Sequence, residues 1–289
     1  MIKAAFLIAT LLCSCLSSSH SAELLVAYLG FVEGPSAAFQ RVSGCNPGVG
    51  IFADGMPVTF DVSIRKSSIS PDQFRISSGD GTTYFPTCAT LEPADAPEKG
   101  HTILLTGDYV KKGLPSNFPT MVEIVLSETG QALESVDGDD LTGLTANAVH
   151  VGAIDGPQLA LAFWYPTWGE HGQVQIVWEG GVTADGGDDF GDDALSSFFI
   201  IGSDGQRVNP TSFDDIGNGD NYMLLNLPSD FIGDPLSVEV DANVAFDPMN
   251  FPNPITSVKV RPGWYGAEKE DPPIQSDSSR YAIVRVCAP

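Results

Sequence analysis

Hydrophobic and polar residues alternate with a period of two over many short stretches of this chain. In the clearest of them, residues 57–65, the apolar positions are Val58, Phe60, Val62 and Ile64. The polar positions of the same stretch are Thr59, Asp61, Ser63 and Arg65. Such alternation is typical of an antiparallel sheet with one buried and one wet face. Because 30 Gly and 21 Pro residues interrupt the pattern, we predict an all-β chain of short strands and turns.

The pattern of strands and turns occurs twice. Residues 29–35 read Leu-Gly-Phe-Val-Glu-Gly-Pro, and residues 151–157 read Val-Gly-Ala-Ile-Asp-Gly-Pro. Further stretches match in the same order: 58–64 with 174–178, 73–77 with 197–201, 79–81 with 203–205, 102–106 with 222–227, 121–125 with 236–240, and 141–144 with 255–258. A preserved order of this length predicts two copies of one β-unit. Each copy has about seven strands at the spacing expected of a β-sandwich.

The predicted division of the chain is a signal peptide at residues 1–22, a first β-sandwich at 23–147 and a second at 148–289. This layout resembles the tandem immunoglobulin-like domains, including the cadherin-like group, of exported bacterial surface proteins. The resemblance is architectural and includes no Cys…Trp…Cys signature, since Trp178 has no flanking cysteine pair. It implies two tandem antiparallel sandwiches and a role in adhesion or scaffolding, and it carries over no site residues.

The N-terminus has the features of a secretory signal. Lys3 precedes an apolar run at residues 4–12, and small residues follow, with cleavage expected near Ser21 or Ala22. The run is too short to span a bilayer, and no later stretch is long and apolar enough to do so. We therefore expect a secreted protein, extracellular or periplasmic. In the alternative, residues 12–15 form a lipoprotein box and Cys15 anchors the protein to the membrane.

Three cysteines remain after the signal peptide. In an oxidising compartment a disulfide is expected, and we favour Cys45–Cys88 because both lie in the first copy. Cys287 is then free or intermolecular, although it is also a possible partner of either of the other two.

The chain is strongly acidic. It has 37 acidic and 14 basic residues, a formal net charge of −23. Phosphate binding needs a cationic face, so this balance excludes nucleic acid and disfavours an anionic membrane as a partner. Cations fit better, and the ligand is expected to be a protein or a glycan.

Acidic loops are the candidate metal sites. Carboxylate, amide and backbone oxygens on a flexible backbone are the ligands that calcium takes, and a bound ion would relieve carboxylate repulsion. The candidate ligands in the second copy are Asp185, Asp188, Asp189, Asp215, Asn218, Asp220 and Asn221. None of these loops matches the EF-hand pattern. The simpler interpretation is a set of solvated turns, which use the same residue types.

An aromatic cluster is the second candidate site. Trp164, Tyr165 and Trp168 would form a sugar-stacking platform, with Glu170 or His171 bonding to hydroxyl groups. In the alternative the rings pack between the two sandwiches or cap one core.

Catalytic patterns are absent from the sequence. His101, His150 and His171 are scattered, no pair has the spacing of zinc ligands, and no nucleophile elbow or phosphate-binding loop occurs. We therefore predict an exported, non-catalytic binding or structural module stabilised by calcium. The first alternative is a carbohydrate-binding module. The second is a hydrolase, which would need Glu170 and His171 together in a concave site.

Overall fold

The computed structural model describes residues 21–32, 53–94, 96–110, 118–150, 156–216 and 220–263. These residues form β-strands joined by loops and short 3-10 helices, so the predicted all-β class is confirmed. The strands of the first sheet are β1 (Leu24–Leu29), β2 (Asp54–Phe60), β3 (Phe74–Ser78), β4 (Thr83–Tyr84), β5 (Cys88–Thr90), β6 (Thr102–Gly107), β7 (Pro119–Ile124) and β8 (Thr145–His150). The strands of the second sheet are β9 (Leu159–Tyr165), β10 (Gln173–Trp178), β11 (Phe198–Gly202), β12 (Arg207–Val208), β13 (Phe213–Asp214), β14 (Tyr222–Asn226), β15 (Pro235–Val240) and β16 (Thr256–Pro262).

The two sheets have the same strand order. The first runs β4-β3-β7-β8-β1-β2-β6-β5, and the second runs β12-β11-β15-β16-β9-β10-β14-β13. In each sheet one parallel pair, β1 with β8 or β9 with β16, lies in the middle, and the other neighbours are antiparallel. The topology is therefore duplicated. Each sheet has eight strands within the described residues, rather than about seven, because the edges carry strands of only two or three residues.

Local details repeat as well. The β3–β7 pair shifts register where Ser78 meets Pro119, and the β11–β15 pair shifts register where Gly202 meets Pro235. Proline removes a ladder hydrogen bond, so it is tolerated at the start of a strand beside such a bulge. The turns that follow β3 and β11 are also alike, because a left-handed glycine, Gly81 or Gly205, occupies the same place in each.

One sequence match does not belong to the repeat. Leu29 is the last residue of β1, whereas the stretch 151–157 precedes β9, which begins at Leu159. The prediction that 29–35 and 151–157 are equivalent is therefore wrong, although most of both stretches lies outside the described residues. Gly-Pro pairs occur wherever a strand must give way to a turn, so a short match of this kind has little weight.

The core of each unit lies between the two halves of its sheet, which is curled. In the first sheet, one apolar cluster joins strands β2 and β6 to strands β3 and β7. Its members on these strands are Met56, Val58, Phe60, Phe74, Ile76, Ile103, Leu105, Val122 and Ile124. The equivalent members in the second sheet are Val174, Ile176, Trp178, Phe198, Ile200, Met223, Leu225, Val238 and Val240. Burial of these side chains is the main stabilising contribution to each unit.

The predicted wet faces of β2 and β10 are buried. Every residue of both strands is buried, including Thr59, Gln173 and Gln175. Part of the outward face of each strand meets the other unit, since Pro57 lies against Gly180 and Val177 clusters with Ala94 and Leu25. Gln173 is covered within its own unit, where its side-chain amide donates to Asp214 and Asn226. Strand β2 also ends at Phe60, earlier than the alternation through Arg65 predicts.

Several predictions fall outside the described residues. These are the signal peptide up to residue 20, Cys15, Cys45, Asn218 and Cys287. Strand β8 lies in the predicted boundary region, and the exact domain limits stay a prediction. Within the described part of the chain, no helix combines the length and apolar character that crossing a membrane requires.

Candidate functional site

The candidate functional site is the junction between the two sheets. Its apolar part is a cluster in which Ala94 and the half-buried Leu25 of the first unit meet side chains from strands β9, β10 and β14 of the second. The members from these three strands are Leu161, Phe163, Tyr165, Val177, Tyr222 and Leu224. They lie on the opposite face of these strands from the core, so the second unit packs apolar residues on both sides of one layer.

A buried ion cluster lies next to this apolar contact. Lys99, at the end of the 3-10 turn Pro97–Lys99 before β6, reaches across to the loop before β14. Its Nζ lies 2.6 Å from Oδ2 of Asp215 and 2.6 Å from Oδ2 of Asp220. The three side chains are only 6%, 7% and 1% exposed, respectively. The lysine therefore supplies the counter-charge of two carboxylates that the other unit holds away from water.

Hydrogen bonds hold this cluster in place. Oδ1 of Asp220 accepts the backbone N–H of Tyr222 at 2.8 Å, and the Tyr222 hydroxyl accepts the backbone N–H of His101 at 3.0 Å. The side-chain amide of Asn221 donates to Oγ1 of Thr102 at 3.1 Å and to the carbonyl of Trp178 at 2.7 Å. Three of these four bonds join a side chain to a backbone group. The bond between His101 and Tyr222 and the bond between Asn221 and Thr102 cross the junction.

The charges of the cluster perturb one another. Burial opposes the charge on Lys99, yet the carboxylates of Asp220 and Asp215 outweigh it and raise the pKa of Lys99. Burial raises the pKa of Asp220 to about 6. With one ammonium and two carboxylates, the cluster has one negative charge more than it has positive charges. Burial favours the protonated form of Asp220.

A second polar contact crosses the junction from β1. The Tyr28 hydroxyl donates to Oδ2 of Asp247 at 2.9 Å, and both residues are buried. Oδ1 of Asp247 accepts the backbone N–H groups of Met249 and Phe251, each at 2.9 Å. Burial raises the pKa of Asp247, and burial together with the Asp247 charge raises the pKa of Tyr28. Gly180 makes room for the ring, because a Cβ there would lie 2.8 Å from Cδ1 of Tyr28.

His101 forms a third contact between the units. Its ring lies 4.7 Å from that of Phe163, centroid to centroid. One ring nitrogen, Nε2, lies 3.1 Å from Oγ of Ser63, and the other, Nδ1, lies 3.3 Å from the carbonyl of Phe60. Burial lowers the pKa of His101 to about 4, so the ring is neutral at physiological pH. A neutral imidazole suits a position packed against phenylalanine.

A cleft of about 80 Å³ opens along the junction. Leu91, Pro93, Leu104 and Pro248 give it apolar walls, and Asp220 is among its polar lining residues. Pockets for drug-sized ligands are several times larger. This cleft has room for a few water molecules, each taking about 30 Å³.

The structure separates the predicted calcium ligands. Asp215 and Asp220 face Lys99, and Asn221 bonds to Thr102 and Trp178. The other three described candidates, on the loop between β10 and β11, are exposed: Asp185, Asp188 and Asp189. Among the described residues, no three His, Cys, Asp or Glu side chains are grouped so as to hold a metal ion. Calcium binding stays a prediction.

The aromatic cluster is divided between two environments. Tyr165 and Trp168 are stacked, with centroids 3.6 Å apart and planes 2° from parallel, and both are buried at the junction. Trp164 is half-buried against the core of the second unit, and Glu170 is exposed, 3.7 Å from Nε2 of His171. Sugar binding by these residues stays a prediction, and it would require the stacked pair to be uncovered.

Sequence reasoning missed three of the residues that join the units, Tyr28, Lys99 and His101. Each of them has a hydrogen-bond partner more than a hundred residues away, in the other unit. A basic residue in a proline-rich acidic loop was the available signal for Lys99. Cys88 lies on β5, and Cys45 lies outside the described residues, so the Cys45–Cys88 disulfide stays a prediction.

No family model and no curated protein matches this chain. Among solved structures, the N-terminal part of the bacterial S-layer protein SbsC is similar at 13% identity and a TM-score of 0.29, over 84% of this chain and 44% of that one. Two longer structures, domains 1–6 of surface layer protein SbsC and the S-layer protein rSbsC(31-844), are each 12% identical over 84% of this chain and 26% of theirs, with TM-scores of 0.30 and 0.29. This chain therefore spans less than half the length of these structures. Such TM-scores mark only a distant likeness.

Proposed function

We propose that this chain is an exported, non-catalytic structural module of the cell surface, in which two immunoglobulin-like sandwiches are joined into one stiff unit. The observation that carries the proposal is the buried ion cluster of Lys99, Asp215 and Asp220 across the junction. Domains within a chain move relative to each other by default unless the interface is large and apolar. Here an apolar cluster, an ion cluster and the Tyr28–Asp247 bond all favour one orientation.

The strand order supports the immunoglobulin-like assignment. When the eight strands of a unit take the letters A, B, C, C′, D, E, F and G in chain order, the sheet reads C′-C-F-G-A-B-E-D. Strands A, B, E and D then face strands C, F and G, which is the division of the immunoglobulin fold. The last strand connects the two layers, because β8 pairs with β7 through its first half and with β1 through its second half.

The energetics of the ion cluster favour a fixed junction. Taking a charged group out of water costs several kcal/mol, and this cost is offset only when its partners keep their geometry. A hinge at this place would expose Lys99 and leave Asp220 without its counter-charge. A junction of this kind suits a spacer or scaffold that must hold its shape.

The residues considered for a hydrolase do not form a concave site. His101 is neutral and buried in packing, and Glu170 and His171 lie on an exposed turn that does not line the junction cleft. Export is supported by the signal-like pattern of residues 1–22 and by the acidic composition.

Pulsed electron paramagnetic resonance tests the stiffness. Spin labels on cysteines introduced at Thr83 and Ser203, one exposed position in each unit, are measured in a Cys287→Ser background. We expect one narrow distance distribution. The same labels with Lys99→Met and Tyr28→Phe added provide the control, which should broaden it. A broad distribution in the parent protein would rule out a stiff unit.

Location requires a separate experiment. Intact cells that produce a C-terminally tagged protein are treated with a protease that cannot enter them. Loss of the tag, with a cytoplasmic marker preserved, is the expected result. Full protection of the tag, with rupture of the outer layers needed for cleavage, would contradict a place on the surface.

A further inference from the structure

The ion cluster at the junction brings an amine and two carboxyl groups into contact. Nζ of Lys99 lies 2.6 Å from one oxygen of Asp215 and 2.6 Å from one oxygen of Asp220. All three side chains are more than nine-tenths buried. An amine and a carboxyl group are the two halves of an amide, and the third group is able to carry a proton between them.

We propose that Lys99 and Asp215 condense to an isopeptide bond that joins the two sheets covalently, with Asp220 as the proton carrier. Such a bond would form wherever the protein is located. It lies within one chain, between side chains that belong to different β-units.

The reaction balances without any further reagent. The Lys99 ammonium gives one proton to the Asp220 carboxylate and becomes a neutral amine. Its lone pair attacks Cγ of Asp215, forming the C–N bond. The carboxyl of Asp220 returns this proton to one oxygen of Asp215. It then takes a second proton from the nitrogen and passes it to the same oxygen, which departs as water. One ammonium and one carboxylate have then become one amide and one water, with no change of oxidation state, and Asp220 ends as it began.

The two aspartates are held differently, which assigns their roles. Oδ1 of Asp220 accepts the backbone N–H of Tyr222 at the start of β14, so its Oδ2 is fixed towards Lys99. A proton carrier has to keep both oxygens, one for its anchor and one for the transfer. Asp215 has a positive φ of 57°, a conformation that is unfavourable for most non-glycine residues and that persists where the surrounding structure fixes it.

The site also provides the two conditions that amide formation needs. The amine and the carboxyl group are already in contact, so they do not have to meet by diffusion. Groups positioned in this way react as if each were present at very high concentration. Burial keeps bulk water away, so condensation is favoured over hydrolysis and the proton transfers occur between fixed partners.

Peptide mapping of the full mature chain tests the bond. The protein is reduced, alkylated, digested with trypsin and analysed by mass spectrometry. We expect peptide 76–111, uncut after Lys99, to be linked to peptide 208–259 with the loss of one water. Fragment spectra should locate the link between Lys99 and Asp215. Free peptides 76–99 and 208–259 with unchanged masses would overturn the proposal, and a link located at Asp220 would overturn the assignment of roles.

Two variants separate the bond from an ordinary ion pair. Lys99→Arg keeps the charge but cannot form the amide, so the linked peptide should be lost while Lys66→Arg, a surface control, retains it. Asp220→Asn keeps both reacting residues and removes the proton carrier. We expect its linkage, followed over time after refolding, to be about 100-fold slower or more. Linkage at the parent rate would overturn the role of Asp220.

Discussion

The hydroxyl of Tyr28, on the first strand of the first sheet, donates a 2.9 Å hydrogen bond to Oδ2 of Asp247, in a loop of the second sheet. Both groups are buried, and the residues are 219 positions apart in the chain. The contact shows how the junction is built: a side chain on the outward face of one sheet completes the hydrogen bonding of a carboxylate in the other.

Removing this hydroxyl should weaken the protein. Tyr28→Phe leaves one oxygen of the buried Asp247 without its donor, and we expect the free energy of unfolding to fall by about 1–3 kcal/mol. Urea denaturation followed by circular dichroism measures it. Tyr109→Phe is the control, since Tyr109 is as fully buried and its hydroxyl has no partner among the described residues. Equal losses in the two variants would contradict a specific contribution of the cross-junction bond.

Removing the lysine of the ion cluster should cost more. Lys99→Met leaves Asp215 and Asp220 buried without a counter-charge, and a loss of about 3–5 kcal/mol in the free energy of unfolding is expected. Lys66→Met is the control, because Lys66 is 61% exposed and its pairing with Glu92 contributes about 1 kcal/mol at most. The same denaturation assay distinguishes them, and a loss below 1 kcal/mol for Lys99→Met would argue against a stabilising cluster.

The junction should respond to acid through His101. Its pKa in the folded protein is about 4, below the 6.5 of the unfolded chain, because burial disfavours the charged ring. Between these pH values the unfolded chain binds a proton at His101 that the folded protein does not bind. The contribution of neutral His101 to the free energy of unfolding is therefore complete above pH 6.5 and is lost as the pH falls towards 4. His101→Gln should therefore differ most from the parent at high pH and less at pH 4.5. A difference that does not change over this range would contradict a buried neutral histidine.

The stacked rings at the junction should act as packing. Trp168→Ala removes a buried side chain that lies parallel to Tyr165, and we expect a loss of about 3–5 kcal/mol in the free energy of unfolding. Phe85→Ala, at a ring that is 49% exposed, serves as the control and should cost less than 1 kcal/mol, about the scale of a surface substitution. A stable Trp168→Ala protein that has lost a saturable sugar response would instead favour the carbohydrate platform.

Calcium is tested on the exposed loop between β10 and β11. If the ion binds there, excess calcium should raise the melting temperature, and a chelator should increase protease cleavage at residues 185–193, because coordination would order the loop. The double substitution Asp188→Asn and Asp189→Asn should remove both effects, with Asp137→Asn as a control elsewhere. Superimposed melting curves with calcium and with chelator would dispose of the hypothesis.

Much of the fold could be predicted because it depends on local patterns. Alternation placed β2, β7, β10 and β15, and Gly-Asp turns placed the ends of β3 and β11. The sequence could not predict whether the outward faces of β2 and β10 are exposed to water or covered by protein, since Thr59 and Gln175 alternate in the same way in both cases. Nothing within a strand distinguishes these two cases.

The candidate site was half predictable for a similar reason. Asp215 and Asp220 were selected because closely spaced carboxylates need a cation, and the structure does give them one. That cation is the ammonium of Lys99, 121 residues from Asp220. The spacing of residues along the chain can indicate ligands that lie close together in sequence. It cannot indicate a counter-charge that a distant unit supplies.

The parallel pairing of β1 with β8 has a mechanical consequence. These strands are the first and last of their unit, and Ala27, Tyr28 and Leu29 lie opposite Ala148, Val149 and His150. A tensile force applied along the chain would pull the two strands in opposite directions along their length. The hydrogen bonds between them would then be loaded in shear and would have to break together rather than one after another. Strands β9 and β16 repeat this clamp in the second unit, so tension along the chain would meet the same resistance twice.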